Sequence, residues 1–230
     1  MDRTSSQPVD SRGSWCSYHR EPLTYFRQNG PVRLTSRPVG PRALLVEVDD
    51  ARAALSLAAW ARADGVAAEE IVPGAATVLF DGVPDPARLA EALAGWRATD
   101  QAPAGELVEV PVTYDGPDLD FVAASWGVGR DEVAARHAEH EFVAAFCGFA
   151  PGFAYLAGLP EGLNLPRLDS PRSRVPAGSV GIGGPWCGIY PTDSPGGWRL
   201  LGHTDIVLWE PSRDRPALLA PGTRVRFVPA

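Results

Sequence analysis

The amino-acid sequence predicts an α+β protein in two parts, a small layered α/β part followed by a compact all-β barrel. Two observations lead to this prediction. Between residues 42 and 113, strand-like and helix-like segments alternate regularly. After residue 140 the helix signals end, and short apolar runs are separated by turn residues at close intervals. A chain of 230 residues, 45% of them hydrophobic, is long enough to build one large core or two small ones.

Residues 1–35 differ from the rest of the chain and are predicted to form a disordered or loosely docked tail. They are polar, interrupted by proline and glycine, and show no hydrophobic periodicity. Two alternatives stay open. Either the functional protein begins near Val32, or the segment is an ordered docking arm that uses its aromatic residues, Trp15, Tyr18, Tyr25 and Phe26.

Residues 36–114 are predicted to form a domain with the element order β-α-β-β-α-β, which is the ferredoxin-like arrangement. Asp50 suits the N-cap of the first helix, and Pro86 suits the first position of the second. The predicted strands are Arg42–Val48, Ala68–Val72, Thr77–Phe80 and Leu107–Tyr114, and the predicted helices are Ala51–Ala63 and 85–97. This domain carries no group of catalytic residues, so we expect it to serve as a scaffold or docking domain.

Residues 115–230 are predicted to begin with two helices and to continue as the barrel. The first helix spans Asp118–Trp126, and the second runs from Gly129 to about His140. Six strands are predicted from short apolar runs bounded by turn residues: Phe142–Phe146, Ser179–Ile182, Cys187–Tyr190, Trp198–Leu201, Ile206–Trp209 and Arg224–Val228.

The composition excludes several classes of function. A net charge of −7 argues against a nucleic-acid partner. The sequence contains no lysine, which excludes a lysine nucleophile, a Schiff base and a P-loop lysine. Three cysteines without a C-x-x-C pair are typical of a reducing compartment. No apolar run reaches about 18 residues and the first residues lack the apolar stretch of a secretory signal, so we expect a cytoplasmic protein without membrane association.

Histidine and cysteine residues raise two further possibilities. His137 and His140 have the spacing of a metal pair, but no H-E-x-x-H motif is present, and a solvated helix end is the favoured interpretation, with no metal site. Cys147 and Cys187 are candidate nucleophiles, but their apolar context favours buried, unreactive thiols. The nucleophile elbow, the complete G-x-G-x-x-G fingerprint and the P-loop are all absent from the sequence.

A loop rich in arginine and proline is the strongest candidate for ligand binding. Arg167, Arg172 and Arg174 lie within eight residues, and proline precedes two of them. Planar guanidinium groups on a stiff loop suit a carboxylate or a phosphate, although surface solubility remains the alternative. Several aromatic and glycine residues in the same part of the chain suit either a pocket wall or core packing: Phe149, Phe153, Tyr155, Gly196, Gly197 and Trp198.

The motifs of this stretch resemble those of a known family. GFAPGFAYLAGLP, PRLDSPRSRVPAGSVGI, GIYPTDSPGGWRLLGHT and the closing PGTRVRFVP are similar to the allophanate hydrolase subunit 1 family, and the resemblance extends from about Leu34 to Ala230. It implies a ferredoxin-like domain followed by a cyclophilin-like β-barrel of the carboxyltransferase type.

The resemblance also implies an activity and partners. The implied reaction opens the lactam of 5-oxoproline to give glutamate, driven by ATP, with this chain as a non-autonomous part of the enzyme. The implied partners are two further components of 5-oxoprolinase: the C component, which is a related barrel protein, and the A component, which is of the LamB/YcsF type. ATP would bind at the complex, and a chain without lysine cannot itself carry biotin. The alternatives are a KipI-type inhibitor of a sensor histidine kinase and a carboxyltransferase-like protein acting on urea or allophanate.

Within that resemblance we assign roles to particular residues as hypotheses. The candidate catalytic residues are Arg167, Arg172, Ser179, Tyr190 and His203. The arginines would hold the substrate carboxylate or phosphoryl oxygens, and the other three would orient groups or handle protons. The candidate substrate-binding residues are Phe149, Phe153, Tyr155, Arg174, Gly196, Gly197, Trp198 and Thr204.

Overall fold

Two sheets organise the computed structural model, which describes residues 34–97 and 105–230. The first sheet contains β1 (Thr35–Pro38), β2 (Leu44–Glu47), β3 (Glu70–Pro73) and β4 (Thr77–Asp81) in the antiparallel order β1-β2-β4-β3. The helices α1 (Ala51–Ala63) and α2 (Pro86–Leu93) belong to this part. The predicted tail lies outside the described residues except for its last two, and β1 begins at Thr35.

Helix caps and an apolar core explain why the first part folds as it does. The Asp50 carboxylate accepts a hydrogen bond from the Ala53 backbone at 2.8 Å, and Asp85 caps α2 in the same way at 3.0 Å. One face of α1 packs on the sheet, and Leu57 and Phe80 are completely buried in the shared core. Burying such side chains contributes about 1.5–3 kcal/mol each to stability.

The second sheet is larger and almost closes into a barrel. Its strands are β5 (Leu107–Val112), β6 (Glu141–Cys147), β7 (Ala154–Ala157), β9 (Ser179–Gly183), β10 (Trp186–Ile189), β12 (Arg199–His203) and β13 (Arg224–Pro229), in the order β12-β9-β10-β7-β6-β13-β5. The two edges meet where Thr113 and His203 exchange backbone hydrogen bonds of 2.9 and 3.0 Å. The helices α3 (Leu119–Trp126) and α4 (Val133–Ala138) precede β6, and β8 (Arg172–Val175) pairs with β11 (Ser194–Gly196) in a separate two-stranded sheet.

The predicted order β-α-β-β-α-β is wrong for its last strand, so the ferredoxin-like arrangement is not confirmed. Leu107–Val112 leaves the first sheet and pairs in parallel with β13 over six residue pairs. The position beside β2 is taken by β1 instead. Val110 and Val112 are completely buried in the barrel core, which explains the preference of β5 for that sheet. A domain boundary at residue 114 would therefore separate β5 from its own sheet.

Most predicted strands of the barrel occur within one or two residues of their predicted limits. Ile206–Trp209 is the exception, since it contributes only one bridge, from Trp209 to Ala217. Four strands were not predicted: β1 in the first sheet, and β7, β8 and β11 after residue 140. β8 carries two arginines and β11 is a Ser-Pro-Gly segment, so neither shows the apolar alternation that marks a strand in sequence.

The interpretation of the histidine pair as a solvated helix end is wrong for His137. His137 is completely buried in the barrel core, with Nδ1 2.8 Å from the Tyr114 hydroxyl and Nε2 3.4 Å from the Cys187 sulfur. Burial, and then the charge of His140, lower the pKa of His137 from 6.5 to about 3. Cys187 is buried as expected, whereas Cys147 is exposed.

Two kinds of feature are absent from residues 34–97 and 105–230. Over these ranges no helix is both long and apolar enough to cross a bilayer. Over the same ranges no three histidine, cysteine or acidic side chains are grouped so that they would hold a metal ion.

Candidate functional site

A group of five aromatic side chains, here called the aromatic cluster, lies at one side of the barrel. Phe153 occupies its centre, with its ring centroid 5.1–5.6 Å from those of Tyr155, Tyr190 and Trp198. Phe149 completes the cluster, with its ring 5.3 Å from that of Phe153. Phe153, Tyr190 and Trp198 are buried, whereas Phe149 is 58% exposed. Phe149 is thus the most exposed ring of the cluster, and the buried rings pack behind it.

Phe149 owes its exposed position to an unusual backbone conformation. Its φ of 69° is in the left-handed region, and it is the one non-glycine residue there in the part of the chain that the structure describes. This conformation costs about 1–2 kcal/mol for a residue with a Cβ. The turn is held by hydrogen bonds from Ala150 N to Gly148 O and from Phe153 N to Ala150 O, at 2.8 and 2.9 Å. Such conformations persist where the surrounding structure imposes them, and they are frequent at binding sites.

The Tyr190 hydroxyl lies against Gly196 of β11, the strand that pairs with β8. Gly196 approaches the Tyr190 ring so closely that a Cβ at this position would collide with it. Burial raises the pKa of the hydroxyl, while the Trp198 backbone N–H and the charges of Arg167 and Arg172 oppose that rise. The phenol therefore keeps its proton at neutral pH and can donate a hydrogen bond.

The predicted catalytic residue Arg172 is engaged in an internal ion pair. Its Nη2 lies 2.9 Å from both carboxylate oxygens of Asp118, and its Nη1 donates to the Trp198 carbonyl at 3.2 Å. The Asp118 side chain is only 8% exposed. It also accepts a hydrogen bond from Leu200 N at 2.7 Å. Since the Arg172 guanidinium is committed to these partners, its place is structural.

Arg174 belongs to a different, exposed ion pair. Its Nε donates to Asp193 at 2.8 Å, and its side chain is 75% exposed. Asp193 also accepts a hydrogen bond from Ala177 N, and this bond and Arg174 lower the pKa of the Asp193 carboxyl. Two of the three arginines that lie close together in the sequence, Arg172 and Arg174, are thus paired with different carboxylates.

Arg167 is the arginine that remains available. Its neighbours on both sides are held, because Arg199 Nε donates to the Pro166 carbonyl at 3.1 Å and Leu168 N donates to the Gly197 carbonyl at 2.7 Å. The Arg167 side chain is exposed, and no hydrogen bond or ion pair within the described ranges involves its guanidinium. A fixed backbone with a free guanidinium suits the binding of an anion.

Ser179, His203 and Thr204 do not form a nucleophilic group. Ser179 and His203 are paired in register between β9 and β12, but the Ser179 hydroxyl donates to the Pro176 carbonyl at 2.7 Å. His203 Nδ1 lies 3.0 Å from Asp115, on the exposed side. Thr204 is buried, and its backbone N–H donates to the Gly178 carbonyl. The charge of Arg167 acts on the Tyr190 hydroxyl of the aromatic cluster, whereas the side chains of Ser179 and His203 are hydrogen-bonded to Pro176 and Asp115.

Two residues of this region were missed by sequence reasoning, Asp118 and Arg199. Asp118, the first residue of the predicted helix 118–126, precedes α3, but its side chain makes no capping hydrogen bond and instead pairs with Arg172. Arg199 packs its guanidinium 3.7 Å from the centre of the Phe121 ring. Neither contact has a local sequence signal, since the partners are far apart in the chain. A cavity of about 510 Å³ between Glu106 and Arg213 is lined by none of the candidate site residues.

The nearly closed sheet, preceded by a small sheet with two helices, defines a mixed α/β protein with a barrel domain. The chain belongs to the family described as carboxyltransferase domain, subdomain C and D, whose model matches residues 34–219. This confirms the family resemblance that the motifs indicated.

Relatives of known name support the same membership. The chain is 53% identical over 130 residues to the B subunit of 5-oxoprolinase from Escherichia coli O157:H7, a match that covers 55% of this chain and 60% of the relative. It is 45% identical over 125 residues to the B subunit of 5-oxoprolinase from Bacillus subtilis strain 168, covering 53% and 52%. The crystal structure of TTHA0988 superimposes with a TM-score of 0.69 at 37% identity, over 83% of this chain and 40% of that one. The matched region thus spans little more than half the length of these curated relatives.

Proposed function

We propose that this chain acts as the B subunit of an ATP-dependent 5-oxoprolinase, an amide hydrolase that opens the lactam of 5-oxoproline to glutamate. One observation carries the proposal: the charge of Arg167 acts on the Tyr190 hydroxyl, and the Tyr190 ring lies 6.1 Å from the exposed ring of Phe149. 5-Oxoproline presents a carboxylate, a lactam carbonyl and a small apolar ring. Arg167 would bind the carboxylate, Tyr190 would donate to the carbonyl oxygen, and Phe149 would cover the ring.

The chemistry proposed for the complex begins with phosphoryl transfer. The lactam oxygen attacks the γ-phosphorus of ATP and ADP leaves, which converts a stable amide into a better electrophile. Water then adds to the activated carbon, and the C–N bond breaks to release the amine, which leaves the new side-chain carboxyl as an acyl phosphate. A second water hydrolyses this acyl phosphate to give glutamate and inorganic phosphate. The part assigned to this chain is to bind and orient the substrate, and Arg167 would also stabilise negative charge near the reacting groups.

Partners are needed because this chain supplies only part of such a site. Its sequence has no P-loop and no lysine, and residues 34–97 and 105–230 contain no Ser–His hydrogen bond. We therefore assign ATP to a site of the complex. The proposed partners are the C component of 5-oxoprolinase, which is the related barrel protein, and its LamB/YcsF-type A component. The cyclophilin-like description of the barrel and a cytoplasmic location belong to the same proposal.

Replacing the free arginine should weaken the proposed activity. In a complex reconstituted with the A and C components, Arg167→Ala is expected to lower kcat/KM for ATP-dependent glutamate release by about 10-fold to 100-fold, because a charge-assisted hydrogen bond contributes about 1.5–3 kcal/mol. The matched control is Arg174→Ala, whose arginine is exposed and paired with Asp193. That variant should retain activity within about twofold.

Two results would count against the proposal in different ways. A fully assembled wild-type complex that releases no glutamate from 5-oxoproline rejects the activity. An active complex in which Arg167→Ala and Arg174→Ala behave alike removes Arg167 from the site and leaves the activity standing.

A further inference from the structure

We infer that Asp118 is a positioning residue of the substrate site, holding Arg167 and Tyr190 in place through Arg172 and Arg199. This inference rests on the proposed function. Asp118 lies at the start of α3, well before the arginine-bearing loop in sequence, yet its carboxylate receives donors from two strands of the barrel region.

The first arm of the network runs through Arg172 to Trp198. The Arg172 side chain is 28% exposed and bridges the Asp118 carboxylate and the Trp198 carbonyl. Trp198 packs against Tyr190 within the aromatic cluster, with ring centroids 6.3 Å apart. Asp118 also binds Leu200 N directly, a little further along the same segment. The segment that supports the Tyr190 hydroxyl is thus held at two points by one carboxylate.

The second arm runs through Arg199 to the backbone beside Arg167. Arg199 Nη1 lies 3.8 Å from Asp118, and Arg199 Nε donates to the Pro166 carbonyl at 3.1 Å. The Arg199 side chain is only 16% exposed and stacks on Phe121. Since Pro166 directly precedes Arg167, the hydrogen bond from Arg199 helps to fix the backbone position from which the Arg167 side chain extends.

The electrostatics of the network explain why one carboxylate is needed. Two guanidinium groups share Asp118, and without its charge they would be left partly buried and unpaired beside each other. Asp118 accepts three hydrogen bonds and its side chain is only 8% exposed, so the carboxylate is not placed to touch a substrate directly. Its contribution is therefore indirect, exerted through the two arginines.

The test is the kinetics of Asp118→Asn in the complex reconstituted with the A and C components. The asparagine keeps an acceptor for Leu200 N but loses the charge that holds both arginines. We expect KM for 5-oxoproline to rise about 10-fold or more with kcat changed less than about threefold, because misplaced binding groups weaken substrate binding. Arg199→Lys, which keeps the charge but loses the planar fork, should raise KM by a smaller factor and serves if Asp118→Asn does not fold. Asp193→Asn, which frees only the exposed Arg174, should leave KM unchanged.

A KM equal to that of the wild type in Asp118→Asn and in Arg199→Lys, measured well below their melting temperatures, would overturn the inference and leave Asp118 a purely structural residue. An inactive wild-type complex would instead reject the proposed function. In that case the rates at which phenylglyoxal modifies the arginines of the full chain still test whether Asp118 holds Arg172 and Arg199. Arg167 should react faster than Arg172 and Arg199 in the wild type, and all three should react at similar rates in Asp118→Asn. Unchanged protection of Arg172 and Arg199 in that variant would contradict the network.

Discussion

Lowering the pH from about 6.5 to about 4 is expected to reduce the free energy of unfolding by about 3 kcal/mol, through His137 alone. The folded-state pKa of His137 is about 3, below its ordinary 6.5, so the unfolded chain binds a proton across this range and the folded chain does not. The contribution of neutral His137 to the free energy of unfolding is therefore fully present above pH 6.5 and is lost as the pH falls towards the folded-state pKa. Urea unfolding at a series of pH values measures the effect.

The matched variant is His137→Gln, which keeps a polar group beside Tyr114 and Cys187 but does not titrate. Its free energy of unfolding should be lower than that of the wild type at neutral pH, and it should change less with pH between about pH 6.5 and about 4. His140→Gln should keep most of the slope, although burial also lowers the pKa of His140. Glu141, whose pKa is lowered mainly by its hydrogen bond to Arg224, adds loss of stability only below its ordinary value of 4.5. An equal slope in wild type and His137→Gln would show that His137 is not the source.

Gly202→Ala is expected to destabilise the protein by about 3 kcal/mol or more, since it forces a side chain into a closely packed backbone contact. Gly202 lies where the barrel edges meet, and a Cβ there would collide with the Thr113 carbonyl oxygen. Thr113 cannot move away without breaking its two hydrogen bonds to His203. Both effects act at the closure of the sheet.

Gly95→Ala provides the control for this prediction. A Cβ at Gly95 would meet no atom within 4 Å, and the residue is exposed. We expect a change of about 0.5 kcal/mol or less in that variant. The two variants are compared by urea unfolding at neutral pH, and similar stability in both would mean that the barrel edges are not held closed at Thr113.

The three arginines of the candidate site differ in a way that their local sequence does not predict. The loop of prolines and arginines indicated an anion site, and Arg167 fits that expectation. Arg172 and Arg174 looked equivalent to it in sequence, but their carboxylate partners, Asp118 and Asp193, are 54 and 19 residues away. Which arginine is free depends on those distant partners, and no local pattern reports them.

The sequence by itself determined the type of most helices and strands, the absence of a lysine-based or P-loop chemistry, and the family, because these depend on local periodicity, residue inventory and contiguous motifs. Only the tertiary structure decided that β5 joins the barrel beside β13, that His137 is buried, and that Asp118 and Asp193 hold Arg172 and Arg174 but leave Arg167 unpaired among the described residues. The physical reason is the same in each case: strand partners, burial and ion pairs are contacts between segments far apart in the chain. Such contacts are selected by the packing of the whole core.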